Sequence, residues 1–288
     1  MTPALRCAEW AREVGVDPVG TAAPATGWVL VDWPLPWPRD AAAVPALAPV
    51  VEALHGTGFR LQLVVPEDGR TRDVVVHRPP PGAGGWFSSY ERVARRVPAA
   101  DVVDAALELV TTGHGDRRPE AVDVLVCGHG ARDRCCASLG TALALDTTGV
   151  RRTSHTGGHR FAPTGVVLPA GTSWAFLDGD ALRRVIAREG PLDDLLPRYR
   201  GCAALGWPGA QAAERVAFAE VGWAWLDHRR RATSLPDGVV RIDAVAPDGT
   251  ERSWEVAVEP GRRLPVPECG RPPAEASKHE VEVVVRRR

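Results

Sequence analysis

Residues 121–145 read AVDVLVCGHGARDRCCASLGTALAL, and this stretch decides how the middle of the chain folds. Its first seven residues are an apolar, β-branched run, which predicts a buried strand that ends at Cys127. Residues 133–145 predict a helix that Asp133 is placed to cap. Cys127 is therefore expected at the carboxyl end of a strand, where α/β folds place their functional sites.

The sequence that follows completes a thioredoxin-like order of elements. Residues 165–169 (GVVLP) and 173–178 (SWAFLD) predict a hairpin with AGT as its turn, and residues 180–190 predict a helix that ends at a glycine. Strand, helix, loop, hairpin and helix is the order of a thioredoxin-like unit. Residues 208–226 then predict a long amphipathic helix.

A smaller α/β unit precedes this one, and a β-rich segment follows it. The predicted strands are 27–33, 59–65 and 71–77, with helices at 43–58 and 101–113 and C-terminal strands at 239–246, 252–259 and 280–286. We therefore expect an α/β protein in three parts. These are an N-terminal α/β domain (1–115), which is a candidate degenerate thioredoxin-like unit, a thioredoxin-like domain (116–232) and a β-rich segment (233–288).

The composition is that of a folded globular protein and argues against partners bound by charge alone. Hydrophobic residues make up 44% and charged residues 25% of the 288 residues, which is enough for a buried core. Basic and acidic residues number 35 and 36, so we expect neither nucleic acid nor an anionic membrane as a partner. No stretch reaches the roughly twenty apolar residues that a membrane helix needs.

The N-terminal stretch is unlike a signal peptide, because charges at Arg6, Glu9, Arg12 and Glu13 interrupt it. We therefore expect a cytoplasmic protein, in which thiols are kept reduced. The six cysteines are then expected to be metal ligands, redox groups or buried apolar residues rather than disulfides.

Most cysteines and histidines have a simple structural interpretation. A lone cysteine is usually a small buried apolar residue, and a lone histidine is usually a surface or core residue. We assign these roles to Cys7, Cys202, Cys269, His55, His77, His114, His228 and His279.

Four other residues form a candidate metal clamp: Cys127, Cys136, His155 and His159. Cys136 falls in the first turn of the predicted helix, where the positive helix end favours a thiolate. The two histidines lie in HTGGH (155–159). Two consecutive glycines would cost a helix about 1 kcal/mol each, so we expect a loop that brings both rings to one point.

The residues alone leave the metal open. Zinc binds two cysteines and two histidines in structural sites, although the eight residues between Cys127 and Cys136 are more than such sites usually have. Two thiolates and two imidazoles are also the ligand set of Rieske-type [2Fe–2S] centres. The spacing differs from that of Rieske proteins, in which each loop contributes one cysteine and one histidine.

At this point the sequence resembles the sucrase/ferredoxin-like family, whose members carry a thioredoxin-like ferredoxin domain. The family pattern is two cysteines eight residues apart, followed by His-x-Gly-Gly-His. The resemblance extends over roughly residues 7–226 and includes CGHGARDRCCASLG (127–140), GGHRFAPTGVVLPAG (157–171), YRG (199–201), GTA (21–23) and WVLVDWPLPWP (28–38).

The resemblance implies a [2Fe–2S] cluster with Cys127 and Cys136 on one iron and His155 and His159 on the other. Neutral imidazoles in place of two thiolates would raise the reduction potential above that of a plant-type ferredoxin. Residues expected next to the ligands are His129, Arg132, Asp133 and Arg160, with Cys135 as an alternative ligand or a redox thiol.

The expected function is that of a soluble redox protein that exchanges single electrons with unidentified donor and acceptor proteins, or that responds to redox state. One alternative is a thioredoxin-like thiol oxidoreductase, although the chain has no C-x-x-C motif. Another is a structural zinc module. Sugar hydrolysis needs two carboxylates across a cleft, and Asp193–Asp194 and Glu251–Glu255 are weak candidates, so we predict no catalytic residue and favour a carrier over a hydrolase.

Overall fold

A nine-stranded mixed sheet forms the centre of the computed structural model, which describes residues 6–286. Its strands are β1 (Gly27–Asp32), β2 (Phe59–Val64), β3 (Thr71–Arg78), β4 (Glu91–Pro98), β5 (Asp123–Cys127), β6 (Val150–Thr153), β7 (Gly165–Leu168), β8 (Thr172–Trp174) and β9 (Tyr199–Cys202). Their spatial order is β4-β3-β1-β2-β6-β5-β7-β8-β9.

Eight strands of the sheet form two four-stranded units with the same pairing, joined edge to edge, and β9 adds to the second unit antiparallel to β8. In the first unit β1 and β2 are parallel, β3 is antiparallel to β1, and β4 is antiparallel to β3. Strands β5, β6, β7 and β8 repeat this pattern. The units meet where β2 runs antiparallel to β6. The predicted α/β class, with a second unit built like the first, is confirmed.

The described part of the chain has six α-helices: α1 (Cys7–Glu13), α2 (Ala48–Ala53), α3 (Val102–Thr112), α4 (Thr141–Asp146), α5 (Gly179–Ala187) and α6 (Pro208–Val221). Helix α3 ends at Gly113, whose φ of +69° is the left-handed conformation that glycine adopts at low cost. Helix α5 is capped by Asp178, whose side chain accepts a hydrogen bond from the amide of Ala181. The prediction at 43–58 was too long, because α2 covers only six residues and follows two short 3₁₀ turns.

A second, four-stranded antiparallel sheet lies at the C-terminal end of the chain. It consists of β10 (Arg229–Ser234), β11 (Val239–Val245), β12 (Glu251–Pro265) and β13 (His279–Val285), in that order. Helix α6 contacts β9 of the large sheet and β11, β12 and β13 of the small one. The predicted C-terminal strands are therefore confirmed, and α6 connects the two sheets.

Four strands were missed by the sequence prediction: β4, β6, β9 and β10. Strand β4 (ERVARRVP) is an edge strand with one fully buried side chain, Val93, and β10 begins with three consecutive arginines. Edge strands can carry charged residues in place of the β-branched apolar pattern of interior strands. Within residues 6–286, no helix is long and apolar enough to cross a membrane. The domain boundaries at 115 and 232 stay predictions.

Candidate metal centre

The parallel pairing of β5 and β6 brings the predicted cysteine and histidine segments together. Cys127 ends β5 and pairs with Thr153, which ends β6. His155 follows two residues later, so both segments leave the sheet at the same edge. This edge is the carboxyl end of parallel strands, as predicted for Cys127.

The second cysteine lies where a helix begins irregularly. Asp133 accepts a hydrogen bond from the Cys135 amide at 2.8 Å, which confirms the predicted cap. Cys136 then starts a π-helical turn that continues to Gly140, a feature that is frequent at functional sites. A Cβ atom at Gly140 would collide with the Cys127 carbonyl oxygen. Glycine at this position therefore lets the helix approach the end of β5.

The HTGGH segment is a loop, as predicted. Gly157 and Gly158 have φ values of +90° and +70°, which are left-handed and end any helical path between the two histidines. A 3₁₀ turn starts at His159.

Three of the four predicted ligands converge. One side-chain atom each of Cys127, Cys136 and His155 lies within 4.8 Å of the others. The Cys127 sulfur is 3.6 Å from Nδ1 of His155. His159 lies outside this group of three, and the centre of its ring is 5.9 Å from that of His155. Both cysteines are buried, His159 is 9% exposed, and His155 is partly exposed.

The pKa values of the two thiols, Cys127 and Cys136, are shifted in opposite directions. A hydrogen bond from the Cys136 thiol to the Cys127 sulfur holds the pKa of Cys127 well below its usual range, and the same bond raises the pKa of Cys136. Burial lowers the pKa of His159, so its ring is neutral near pH 7. The arrangement thus offers a thiolate, a thiol and a neutral imidazole.

His129 supports the loop rather than offering a ligand atom. Its Nε2–H donates to the carbonyl oxygen of Pro38 at 2.9 Å, and its Nδ1 accepts the backbone N–H of His155 at 3.1 Å. Both ring nitrogens are therefore used, and His129 fixes the backbone that carries His155.

Of the two predicted neighbouring arginines, Arg160 is paired outside the site, whereas the Nε of Arg132 is buried without a hydrogen-bond partner among the described residues. Arg160 is buried and forms an ion pair with Glu280 at 2.6 Å, which ties the turn after His159 to β13. The backbone carbonyl of Arg132 accepts a hydrogen bond from Arg39 at 3.4 Å.

Cys135 and Asp133 belong to a second group, together with Cys7 and Cys269, whose ligand atoms also lie within 4.8 Å of one another. Hydrogen bonding from the Cys7 thiol lowers the pKa of Cys135 to about 6. Burial alone would raise the pKa of Asp133, but hydrogen bonds from Cys269 and Cys135 outweigh it and lower that pKa. The sequence prediction had treated Cys7 and Cys269 as isolated buried residues.

Arg200 is a residue of the site that the sequence prediction missed. It is 1% exposed and donates from Nη1 to the Gly157 carbonyl oxygen at 3.1 Å and from Nε to Thr21 Oγ1 at 3.0 Å, while Nη2 donates to the Thr21 carbonyl. The short motifs GTA and YRG thus meet at the HTGGH loop. The distance between these two motifs in the sequence gives no indication of this contact.

The weak hydrolase candidates do not form a pair across a cleft. Asp194 is bound by Arg184 at 2.8 Å, and Glu251 and Glu255 are exposed on β12.

The donor set fits the cluster that the resemblance implies. Nε2 of His159 lies 3.1 Å from the carbonyl oxygen of Pro267, which can only accept, so this nitrogen carries the proton. Nδ1 of the neutral ring is then free to bind a metal. A second ring nitrogen that donates to a backbone carbonyl is typical of metal-binding histidines. Two thiols and the His155 imidazole therefore converge at a largely buried place, and the His159 ring lies next to them, 5.9 Å from that of His155.

Comparison with known protein families gives a match that covers this site. A sequence model of the sucrase/ferredoxin-like family matches residues 18–201, which include all four predicted ligands, Thr21 and Arg200. Neither the curated proteins nor the solved structures gave a match. Because the family model covers more than half of the chain, this protein belongs to the sucrase/ferredoxin-like family.

Proposed function

We propose that this protein carries a [2Fe–2S] cluster, bound by Cys127, Cys136, His155 and His159, and that it transfers single electrons or responds to redox state. The observation that supports this most strongly is the convergence of both thiols and His155 within 4.8 Å at the carboxyl edge of β5 and β6. The neutral His159 ring beside them completes a ligand set of two thiolates and two imidazoles.

The chain's own residues prepare the site for such a group. Cys127 is already favoured as a thiolate by the hydrogen bond from Cys136, so the thiol proton that a metal would have to displace is the one on Cys136. His129 and Arg200 hold the backbone on either side of the histidine loop. When bound, the cluster would supply a one-electron redox centre. His155 is the most exposed of the four ligands, and it gives the shortest path to a partner at the surface.

One observation favours a second candidate, a structural zinc ion at the same residues. Cys127, Cys136 and His155 are close enough together to bind a single ion, while His159 stands apart from them.

Purification without oxygen, followed by metal and sulfide analysis, tests the proposal. We expect about two irons and two acid-labile sulfides per chain, visible absorption, and a paramagnetic signal after reduction. Cys136→Ser should remove most of the iron, while the same change at the buried Cys202, in another part of the core, should leave it in place. Protein free of iron and sulfide, with zinc bound by two sulfurs and two nitrogens, would show the zinc alternative to be correct.

A further inference from the structure

A second cluster of ligand atoms lies beside the first, and the proposed function does not use it. We call Cys7, Asp133, Cys135 and Cys269 the three-cysteine cluster. Cys7 starts α1, Asp133 and Cys135 lie at the helix start after β5, and Cys269 lies in the loop between β12 and β13. Three segments far apart in the sequence therefore meet at one point.

The distances within this cluster are slightly shorter than those of atoms arranged around one small ion. The Cys135 and Cys269 sulfurs are 3.2 Å apart, and those of Cys7 and Cys269 are 3.5 Å apart. Oδ1 of Asp133 lies 3.1 Å from the Cys269 sulfur and 3.4 Å from the Cys7 sulfur. A tetrahedral zinc site has Zn–S near 2.3 Å and Zn–O near 2.0 Å, which puts its sulfurs about 3.8 Å apart and sulfur and oxygen about 3.5 Å apart. A small outward movement of each side chain would admit the ion.

The buried carboxylate of Asp133 also favours a bound cation in this cluster. Asp133 is 6% exposed, and among residues 6–286 no arginine, lysine or histidine lies within ion-pair distance of it. Its hydrogen bonds come from the amides of Cys135 and Cys269 and from neighbouring thiols. A buried carboxylate is normally paired with a charge or bound to a metal. A divalent ion would supply the missing positive charge.

We propose that Cys7, Asp133, Cys135 and Cys269 bind one zinc ion, which fastens α1 and the loop before β13 to the core. Binding would release the thiol protons to solvent, with no change of oxidation state. The loop that would be fastened also carries Pro267, whose carbonyl oxygen holds Nε2 of His159. The zinc ion would thus stabilise the neighbouring histidine indirectly.

Metal analysis of the full-length protein separates this site from the iron site. We expect about one zinc per chain in addition to any iron, and X-ray absorption at the zinc edge should give three sulfur ligands near 2.3 Å and one oxygen near 2.0 Å. This measurement needs no variant. Absence of zinc, or zinc bound by two sulfurs and two nitrogens, would overturn the proposal.

Variants then assign the ligands. Cys7→Ser and Cys269→Ser should each lower the zinc content at least fivefold, whereas Cys202→Ser, which changes a buried cysteine outside the cluster, should not. Iron and sulfide report separately on the site of Cys127 and Cys136, so unmodified protein that contains zinc but neither iron nor sulfide would count against the proposed function and not against this inference. Unchanged zinc in both cluster variants, or a mass two hydrogens lower from a Cys135–Cys269 disulfide, would count against the zinc site.

Discussion

At the scale of single residues, one hydrogen bond decides which nitrogen of His159 can bind a metal. The carbonyl oxygen of Pro267 accepts from Nε2, so the proton is held there and the lone pair is at Nδ1. Because burial lowers the pKa of this ring, it stays neutral at pH 7. A neutral ring with a fixed tautomer can bind a metal without first losing a proton.

Replacement of this imidazole by a thiolate gives a prediction for the potential. His159→Cys would add one negative charge to the ligand set, so the reduction potential should fall by on the order of 100 mV or more. Redox titration followed by visible absorption measures it. His114→Cys, which adds a cysteine at an exposed position after α3, should leave the potential unchanged. A His159→Cys protein that keeps its iron at the original potential would contradict the assignment of His159 as a ligand.

At the scale of elements, the histidine loop has its shape because Arg200 on β9 fills the space beneath it. A Cβ atom at Gly158 would lie 2.7 Å from Nη2 of Arg200, so glycine is needed there for the arginine to approach. The guanidinium bonds both Gly157 and Thr21. The planar, multi-donor group thereby links β9, the histidine loop and the segment before β1.

Lysine cannot make these contacts, because a single ammonium group cannot reproduce the fork of an arginine. Arg200→Lys should therefore lower the free energy of unfolding by about 2–3 kcal/mol, since bonds from a buried charge are lost. Iron should also be lost faster to a chelator. Urea denaturation and the decay of visible absorption measure the two effects. Arg183→Lys, on the exposed face of α5, is the control, and equal behaviour of the two variants would show that the Arg200 contacts do not stabilise the loop.

Strands with an apolar, β-branched pattern could be predicted from the sequence, and strands rich in arginine, including the interior β6 (VRRT), could not. Strand β5 and the capped helix after it follow from an apolar run and an aspartate, and the ligands at their junction follow from these. Strands β4 and β10 are arginine-rich, so their pattern resembles that of a polar loop. The role of Arg200 depends on a contact with Thr21, 179 residues away, which no local pattern encodes.

At the scale of the whole molecule, the two units of the sheet are alike in topology. They differ in the residues at the carboxyl ends of their first strands, β1 and β5. Asp32 ends β1 at the position where Cys127 ends β5. Asp32 is buried, accepts the amide of Asp73, and is bonded by Arg151 on β6. The first unit therefore has a structural ion pair where the second has a candidate ligand, and it supports the strand that leads to the histidine loop.

A buried charge pair between Glu214 on α6 and Arg230 on β10 helps to join the two sheets. Glu214 and Arg230 are both fully buried and lie 2.8 Å apart, and the carboxylate also accepts hydrogen bonds from Tyr199 and Trp225. Glu214 lies on α6, and its three partners lie on β10 (Arg230), on β9 (Tyr199) and in the turn after α6 (Trp225). A single carboxylate therefore links the large sheet to the C-terminal sheet.

Glu214→Gln would leave the Arg230 charge buried without its partner, which costs about 3–5 kcal/mol of unfolding free energy. Urea denaturation should therefore show a midpoint well below that of the unmodified protein. Glu220→Gln is the matched control, because Glu220 lies on the same helix but is 58% exposed, and its loss should cost no more than about 1 kcal/mol. Metal content should be unchanged in both variants, since neither glutamate belongs to the two cysteine clusters. Equal midpoints for the two variants would mean that the sheets are joined by apolar packing around α6 and not by the charge pair.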